Sequence, residues 1–116
     1  MQENKRRIGK YWEKMVAEYL DHKGYVILFM NYRTRYSEID IVAQDREELV
    51  FIEVKYRKTA SAGNPLEAVD LRKQKRIRNA ALYFLSDNDY DIENTAIRFD
   101  VIGILDKEIT HIENAF

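Results

Sequence analysis

Hydrophobic and polar positions alternate along residues 37–57 in two short runs that are separated by a charged turn. A period of two is typical of β-strands, and the two runs together predict a β-hairpin. If residues 45–48 form its tight turn, Asp45 pairs with Glu48, and five steps away from the turn along each strand place Asp40 opposite Glu53. Opposed side chains in an antiparallel pair have Cβ atoms about 4.5–5.5 Å apart, and like charges at that separation repel each other.

The carboxylates of Asp40 and Glu53 therefore need a positive partner on their face of the hairpin. A divalent cation would meet this need, because Mg²⁺ prefers hard oxygen ligands and is usually held by one or two carboxylates. Lys55 shares that face, whereas strict alternation places Ile39 and Ile41 together on the opposite face. The pattern indicates a metal site, and the competing interpretation is a solvated strand pair.

Apolar positions at helix and strand spacing predict an α+β domain with one central mixed sheet flanked by helices. The nearly continuous apolar run at residues 25–32 predicts a central strand. Asn64 and Pro65 are typical of an N-cap and a first helical position, so the second helix should begin there. The predicted helices are residues 5–23, ended by Gly24, and residues 65–85; the predicted strands lie at residues 25–32, in the hairpin 38–57, and at residues 95–105 and 108–112.

The chain has 116 residues, 46% of them hydrophobic and 34% charged, which fits one folded domain over residues 1–116. It contains no cysteine, which excludes disulfides and thiolate chemistry and fits a reducing compartment. No apolar run has the length of a signal peptide or a transmembrane helix. We therefore expect a cytoplasmic protein with no membrane partner.

The net charge of −1 hides an uneven distribution of charge along the chain. Residues 55–78 contain eight basic and two acidic residues, whereas residues 79–116 contain two basic and eight acidic residues. The basic segment could hold a polyanion, although a charge run is more often a solvated helix face. The candidate nucleic-acid-binding residues are Arg33, Arg35, Arg57, Lys73, Lys75 and Arg76.

Four side chains hold unusual positions, and three of them have both a structural and a functional interpretation. Glu13 lies at the edge of the apolar stripe of the first helix, where it is either salt-bridged or directed at the sheet. Lys73 lies inside the stripe of the second helix, where its stem covers apolar surface or its ammonium binds an anion. Asp100 lies in an apolar strand and is either a satisfied structural carboxylate or a brace for an arginine or the site. The lone His111 is interpreted as structural.

The chain lacks a glycine-rich phosphate loop, a histidine cluster with zinc spacing, a nucleophile elbow and a dinucleotide fingerprint. What remains is Asp40 and, after a short gap, Glu53-Val54-Lys55. This pattern resembles that of the PD-(D/E)xK nuclease superfamily, and the chain more closely resembles the YraN-like family of small bacterial endonuclease-like proteins. That family usually has glycine where this chain has Ser37. The resemblance is carried by Gly9, Glu13, Ala17, Tyr19, Leu20, Gly24, Tyr25, Asn31, Glu38, Ile39, Asp40, residues 50–55, Arg57, Lys73, Ile77, residues 98–101 and residues 111–116.

The resemblance implies a restriction-endonuclease-like αβββαβ core and a metal-dependent nuclease that hydrolyses phosphodiester bonds in DNA, including branched or otherwise structured DNA. It implies that Asp40, Glu53 and Lys55 are catalytic, with Lys55 serving the attacking water. It also implies that Glu13, Asp40 and Glu53 hold Mg²⁺ or Mn²⁺. Phosphodiester hydrolysis needs an oriented water and stabilisation of the charge that develops on the phosphate oxygens, so these residue types suit the reaction.

The alternative interpretation is a non-catalytic nucleic-acid-binding or adaptor protein of DNA repair, recombination or uptake, and a third is a protein-interaction module. The intact set of Asp40, Glu53 and Lys55 favours the nuclease, because a binding module has no need for opposed carboxylates. DNA is the expected partner and RNA is left open. A homodimer would suit a domain this small, since symmetric substrates match twofold proteins.

Overall fold

The computed structural model describes residues 2–57 and 69–116, with the backbone alone for residues 2–10. The predicted cap at Asn64 and helix start at Pro65 lie outside these described residues. No helix among the described residues is long and apolar enough to cross a membrane. The elements are α1 Gln2–His22, β1 Val26–Arg33, β2 Glu38–Asp45, β3 Glu48–Arg57, α2 Leu71–Asp87, β4 Ile97–Leu105 and β5 Glu108–Ile112.

The five strands form one mixed sheet in the order β1-β2-β3-β4-β5. Strands β1, β2 and β3 are antiparallel neighbours, β3 and β4 run parallel, and β5 returns antiparallel to β4. The parallel pair requires a long crossover, and the segment that contains α2 provides it. The predicted α+β class and αβββαβ core are confirmed, with β5 added at the far edge.

Two buried clusters, one on each face of the sheet, hold the two helices against it. The cluster under α1 joins Val16 and Leu20 to sheet residues such as Ile52. The cluster under α2 joins Ile77 and Phe84 to the other face of the sheet. Along β3 the residues therefore alternate between the clusters: Leu49 and Phe51 lie under α2, and Val50 and Ile52 lie under α1.

Gly24 ends α1 as its position in the sequence predicts. Its φ is +88°, a left-handed conformation that glycine adopts without steric cost. The N–H of Tyr25 donates to the carbonyl of Leu20 at 2.9 Å, and the N–H of Gly24 donates to the carbonyl of Asp21 at 3.0 Å. These two bonds form a Schellman motif, which satisfies the last carbonyls of α1 and turns the chain into β1.

Strand β1 is an edge strand, so the prediction of a central strand is wrong. Within the part of the chain that the structure describes, it pairs with β2 alone, and Val26 and Phe29 are 59% and 41% exposed. An unbroken apolar run shows that a segment forms a strand, but it does not reveal how many neighbours the strand has.

The second helix departs from its prediction at residues 69 and 70. Residues 69 and 70 are not helical, and α2 runs from Leu71 to Asp87. Asp70 is its N-cap, because its carboxylate accepts a hydrogen bond of 2.8 Å from the N–H of Lys73. The side chain of an N-cap aspartate accepts a hydrogen bond from a free N–H group of the first turn, and this favours a helix that begins directly after Asp70.

Alternation along β2 fails at Asp40, so the prediction that Ile39 and Ile41 share a face is wrong. Ile39 packs in the cluster under α2, and Ile41 packs in the cluster under α1. On the neighbouring strand β1, Asn31 lies at the same level with a φ of +55°. A left-handed residue changes the direction in which its own strand, here β1, presents its next side chains, and asparagine tolerates that conformation better than most residues.

Candidate active site at one end of the sheet

The β2–β3 hairpin positions the two acidic side chains of the candidate site. The strands pair without a shift from the turn to Ile41 and Ile52, so the predicted register is confirmed. The next residues are Asp40 and Glu53, which lie at adjoining positions of neighbouring strands. The N–H of Val54 donates a hydrogen bond of 2.8 Å to Oδ2 of Asp40 and holds this carboxylate against β3.

The carboxylate of Glu53 is buried beneath the first turn of α2. Its side chain is 5% exposed, and Oε2 lies 3.2 Å from Nζ of Lys73. A buried carboxylate without a partner is costly, so this ion pair offsets part of the cost of burying it. Of the two interpretations of Lys73, the structure supports the contact with an anion.

Burial changes the protonation of the two carboxyl groups, and at Glu53 the charge of Asp40 adds to its effect. Burial, followed by the charge of Asp40, raises the pKa of Glu53 to about 7. Burial also raises the pKa of Asp40, and the hydrogen bond from Val54 and the charge of Lys73 oppose this rise. Both groups thus hold a proton more strongly than ordinary carboxyl groups, which is expected where two carboxylates share one partly dry site.

Two ammonium groups complete the cluster on the same face of the sheet. The neighbouring Lys73, followed by burial, lowers the pKa of Lys55. Burial alone would lower the pKa of Lys73, but its contacts with Lys55 and Glu53 outweigh this effect and raise it. The two lysines therefore differ: Lys73 stays charged, whereas Lys55 releases its proton more readily than an ordinary lysine.

The donor set suits a hard divalent cation. Asp40 and Glu53 offer carboxylate oxygens, and burial together with the charge of Asp40 raises the pKa of Glu53, an effect that a shared cation would oppose. Among the described residues no three His, Cys, Asp or Glu side chains form a group that could hold a metal ion. Glu13 lies on α1, which packs on the other face of the sheet, so its predicted role as a metal ligand stays a prediction.

The other candidate nucleic-acid-binding residues lie at the same end of the sheet or on α2 above it. Arg33 ends β1, with Nε 3.7 Å from Oε2 of Glu38, and Arg35 donates a 2.9 Å hydrogen bond to the hydroxyl of Tyr36. Arg57 ends β3 two residues after Lys55. Exposed residues in the first turns of α2 add positive charge to this end: Lys75 and Arg76.

A second polar network occupies the opposite end of the sheet. Asp100 is fully buried and receives hydrogen bonds from Nε and Nη2 of Arg98 at 2.9 and 3.0 Å. Its Oδ2 lies 2.7 Å from Nε2 of His111. Asp100 thus braces an arginine, and His111 is part of the same structural network. The remaining guanidinium contacts are with Asp45, Glu48 and the hydroxyl of Tyr25.

Sequence reasoning missed the hairpin and tyrosine partners of Arg98. An arginine within a buried apolar strand signals that anions must surround it, but the sequence does not say which ones. A cleft of about 690 Å³ opens beside this network and is lined by residues that include Arg98 and Glu113. All three guanidinium nitrogens of Arg98 already donate to protein groups. Arg98 therefore has no nitrogen left to bind a substrate at this end of the sheet.

Comparison with known proteins gives the chain close relatives over nearly its whole length. A model of the Uncharacterised protein family UPF0102 matches residues 12–104. A UPF0102 protein of Lachnoclostridium phytofermentans is 49% identical over 113 residues, which cover 97% of this chain and 95% of the relative. UPF0102 proteins of Clostridioides difficile and Thermodesulfovibrio yellowstonii are 44% and 46% identical, covering 97% and 94% of this chain and 99% and 95% of those relatives. The names of these relatives state no activity.

Proposed function

The chain belongs to the UPF0102 family, the YraN family, and from that premise we propose that it is a metal-dependent nuclease that hydrolyses phosphodiester bonds in DNA. The observation that carries this proposal is the pairing of Asp40 with a buried Glu53 beside Lys55 and Lys73. Two carboxylates whose pKa values rise together on one face of a sheet reduce the stability of the metal-free protein. Such a cost is common at sites that act on a ligand.

Each residue of the cluster has a role that its environment favours. Asp40 and Glu53 would hold Mg²⁺ or Mn²⁺, which when bound supplies a lowered water pKa and neutralises charge on the phosphate. The lowered pKa of Lys55 suits it to accept a proton from the attacking water or to orient that water. Lys73 keeps its charge and is placed to stabilise a phosphate oxygen as negative charge develops.

The basic residues around the cluster would hold the nucleic-acid backbone. Arg33, Arg57 and Arg76 lie at or above the end of the sheet that carries the carboxylates. Side chains of this kind bind phosphates without reading the base sequence. We therefore expect recognition of backbone shape rather than of a sequence, which fits branched or otherwise structured DNA.

A cleavage assay tests the proposal. Purified protein is incubated with single-stranded, duplex, flap and four-way-junction DNA, and with RNA, in Mg²⁺, Mn²⁺ or EDTA. We expect metal-dependent cleavage by the wild type and a loss of at least about 100-fold in Asp40→Asn. Cleavage that is equal in the two proteins, or absent on every substrate with both metals, would show that the site is not a nuclease.

Metal binding gives a second readout that does not depend on activity. Because the cation would relieve the repulsion between Asp40 and Glu53, millimolar Mg²⁺ should raise the melting temperature of the wild type more than that of Asp40→Asn. An unchanged melting temperature in the wild type would argue against a metal site.

The ion pair between Lys73 and Glu53 also fits a second candidate function, a non-catalytic nucleic-acid-binding or adaptor protein. In that case the ammonium of Lys73 is the lasting partner of Glu53, and the basic end of the sheet binds a polyanion. DNA binding that weakens steeply with salt, in a protein that cuts no substrate, would support this candidate.

A further inference from the structure

Three aromatic rings lie beside the candidate active site on the other face of β3. Trp12 of α1 stacks on Tyr56 of β3, with ring centroids 4.8 Å apart and planes inclined by 26°. Tyr11 meets Trp12 edge to face at a centroid distance of 5.0 Å. We call these three residues the aromatic platform.

One ring of the aromatic platform faces water. Trp12 and Tyr56 pack partly against the core under α1, and this packing explains their presence. Tyr11 is 59% exposed and belongs to neither core cluster, so core packing does not explain it. An exposed tyrosine beside a stacked pair adds a π-surface that a flat ligand can cover.

The platform lies at the same end of β3 as the groups that would handle phosphate, on the opposite face of the sheet. Tyr56 lies between Lys55 and Arg57 on β3, so its Cα is about 3.8 Å from the Cα of each neighbour. Because side chains alternate along a strand, the Lys55 side chain lies on the α2 face and the Tyr56 ring on the α1 face. Lys14, exposed one helical turn after Tyr11, adds a positive charge on the platform side.

We propose that the aromatic platform stacks an unpaired nucleobase of a strand whose backbone passes over the end of β3 at Arg57, between the platform on one face and Lys55 on the other. This inference rests on the proposed function and specifies its substrate class: nucleic acid with unpaired bases within a few nucleotides of the bond that is cut. A π-face accepts any base, so stacking gives affinity for single strands without sequence preference. Base pairs in a duplex are already stacked on each other, and a blunt duplex offers the platform no free base along its length.

Trp12 is the only tryptophan of the chain, so its fluorescence reports on the platform directly. The protein is titrated in EDTA with a thymidine oligonucleotide of about 12 nucleotides, which is within the usual length of a single-strand site. A blunt mixed-sequence duplex of equal length is the comparison. We expect the single strand to quench Trp12 fluorescence and the duplex to leave it nearly unchanged.

Two substitutions of Tyr11 separate the aromatic ring from apolar bulk. Tyr11→Leu should weaken single-strand binding about tenfold, the usual loss when one stacking residue is removed, whereas Tyr11→Phe should bind like the wild type. Tyr11 is exposed, so Tyr11→Phe should keep the melting temperature, and Tyr11→Leu should lower it only slightly through loss of the edge contact with Trp12. Equal affinity in the two variants, equal quenching by strand and duplex, or no binding of either nucleic acid would overturn the platform.

Failure of the platform can be distinguished from failure of the nuclease. Asp40→Asn should lose cleavage and keep the quenching by the single strand, because it does not touch the platform. If cleavage depends on Asp40 but the single strand does not quench wild-type fluorescence, the proposed nuclease is supported and the proposed stacking on the platform is wrong. If quenching depends on the Tyr11 ring but no substrate is cleaved, stacking on the platform is supported and the proposed nuclease is wrong.

Discussion

At the scale of single residues, Glu53 decides the chemistry of the candidate site. It lies on a strand whose neighbouring positions are core residues, so its carboxylate is buried where a hydrophobic residue would contribute more to stability. Lys73 neutralises the carboxylate of Glu53 only in part, since the pKa of Glu53 remains well above the ordinary value for glutamate. A cation that both Asp40 and Glu53 can share would favour the ionised form of both groups.

The raised pKa of Glu53 predicts how stability changes with pH. The pKa is about 7 in the folded protein against an ordinary 4.5, so between these values the folded state holds a proton that the unfolded state has released. Metal-free protein should therefore lose stability as pH rises from about 4.5 to about 7, by at most about 3 kcal/mol. Glu53→Gln should not show this loss.

Urea unfolding in EDTA at about pH 5 and about pH 8 measures this difference. Glu47→Gln, an exposed change in the turn of the same hairpin, is the matched control and should behave like the wild type. The same pH dependence in wild type and Glu53→Gln would show that Glu53 has an ordinary pKa.

Asp100 is the residue whose charge matters most at the other end of the sheet. Burial alone would raise the pKa of Asp100, but its hydrogen bonds with His111 and Arg98 outweigh burial and lower it. Asp100→Asn should cost about 3 kcal/mol or more, because it leaves the buried charge of Arg98 without its main partner. Denaturant unfolding measures the cost. Asp106→Asn, in the exposed β4–β5 turn, should cost almost nothing, and equal losses in the two variants would contradict this account.

At the scale of elements, local pattern predicted most of the site. The spacing around the turn set the register of β2 and β3, and alternation placed Glu53 and Lys55 on one face. The direction of Asp40 could not be predicted from alternation, because Ile39 and Ile41 on either side of it lie on opposite faces of the sheet. The position of Glu13 relative to the sheet depends on how α1 packs, which periodicity does not specify.

The start of α2 places Lys73 over Glu53, so its N-cap supports the site. Asp70→Ala removes the acceptor of the Lys73 N–H and should cost about 1 kcal/mol, whereas Asp70→Asn keeps an acceptor and should cost much less. Thermal unfolding of both variants checks this difference. Equal losses would show that the carboxylate charge, rather than the cap, stabilises this turn.

At the scale of the whole molecule, the two ends of the sheet differ in chemistry. One end carries exposed basic side chains around an incompletely neutralised acidic pair, and the other carries a closed network around Arg98. The resemblance to a family and the order of elements predicted this fold, but the edge position of β1 could not be read from the sequence. It depends on which strands pair, and the hydrophobic pattern of β1 fits a central strand equally well.

The charge distribution predicts a salt dependence of DNA binding that is specific to one end. Replacing Lys75 and Arg76 together by glutamine should weaken binding and lower the slope of log K against log salt by about 2, if each contacts one phosphate. Arg46→Asn at the opposite end of the sheet, where asparagine tolerates the φ of +56°, should leave the slope unchanged. DNA titrations at several salt concentrations measure the slope for the wild type and the two variants. Equal slopes for all three proteins would show that Lys75 and Arg76 do not contact the DNA.

The most direct test of the proposed nuclease is the single-turnover cleavage rate of the best DNA substrate with Mg²⁺, measured side by side for wild type, Glu53→Gln and Glu47→Gln. The site predicts a rate at least about 100-fold lower in Glu53→Gln and unchanged in Glu47→Gln, because only Glu53 faces Asp40 beside the two lysines. If Glu53→Gln cleaves as fast as the wild type, the paired carboxylates are not the catalytic site.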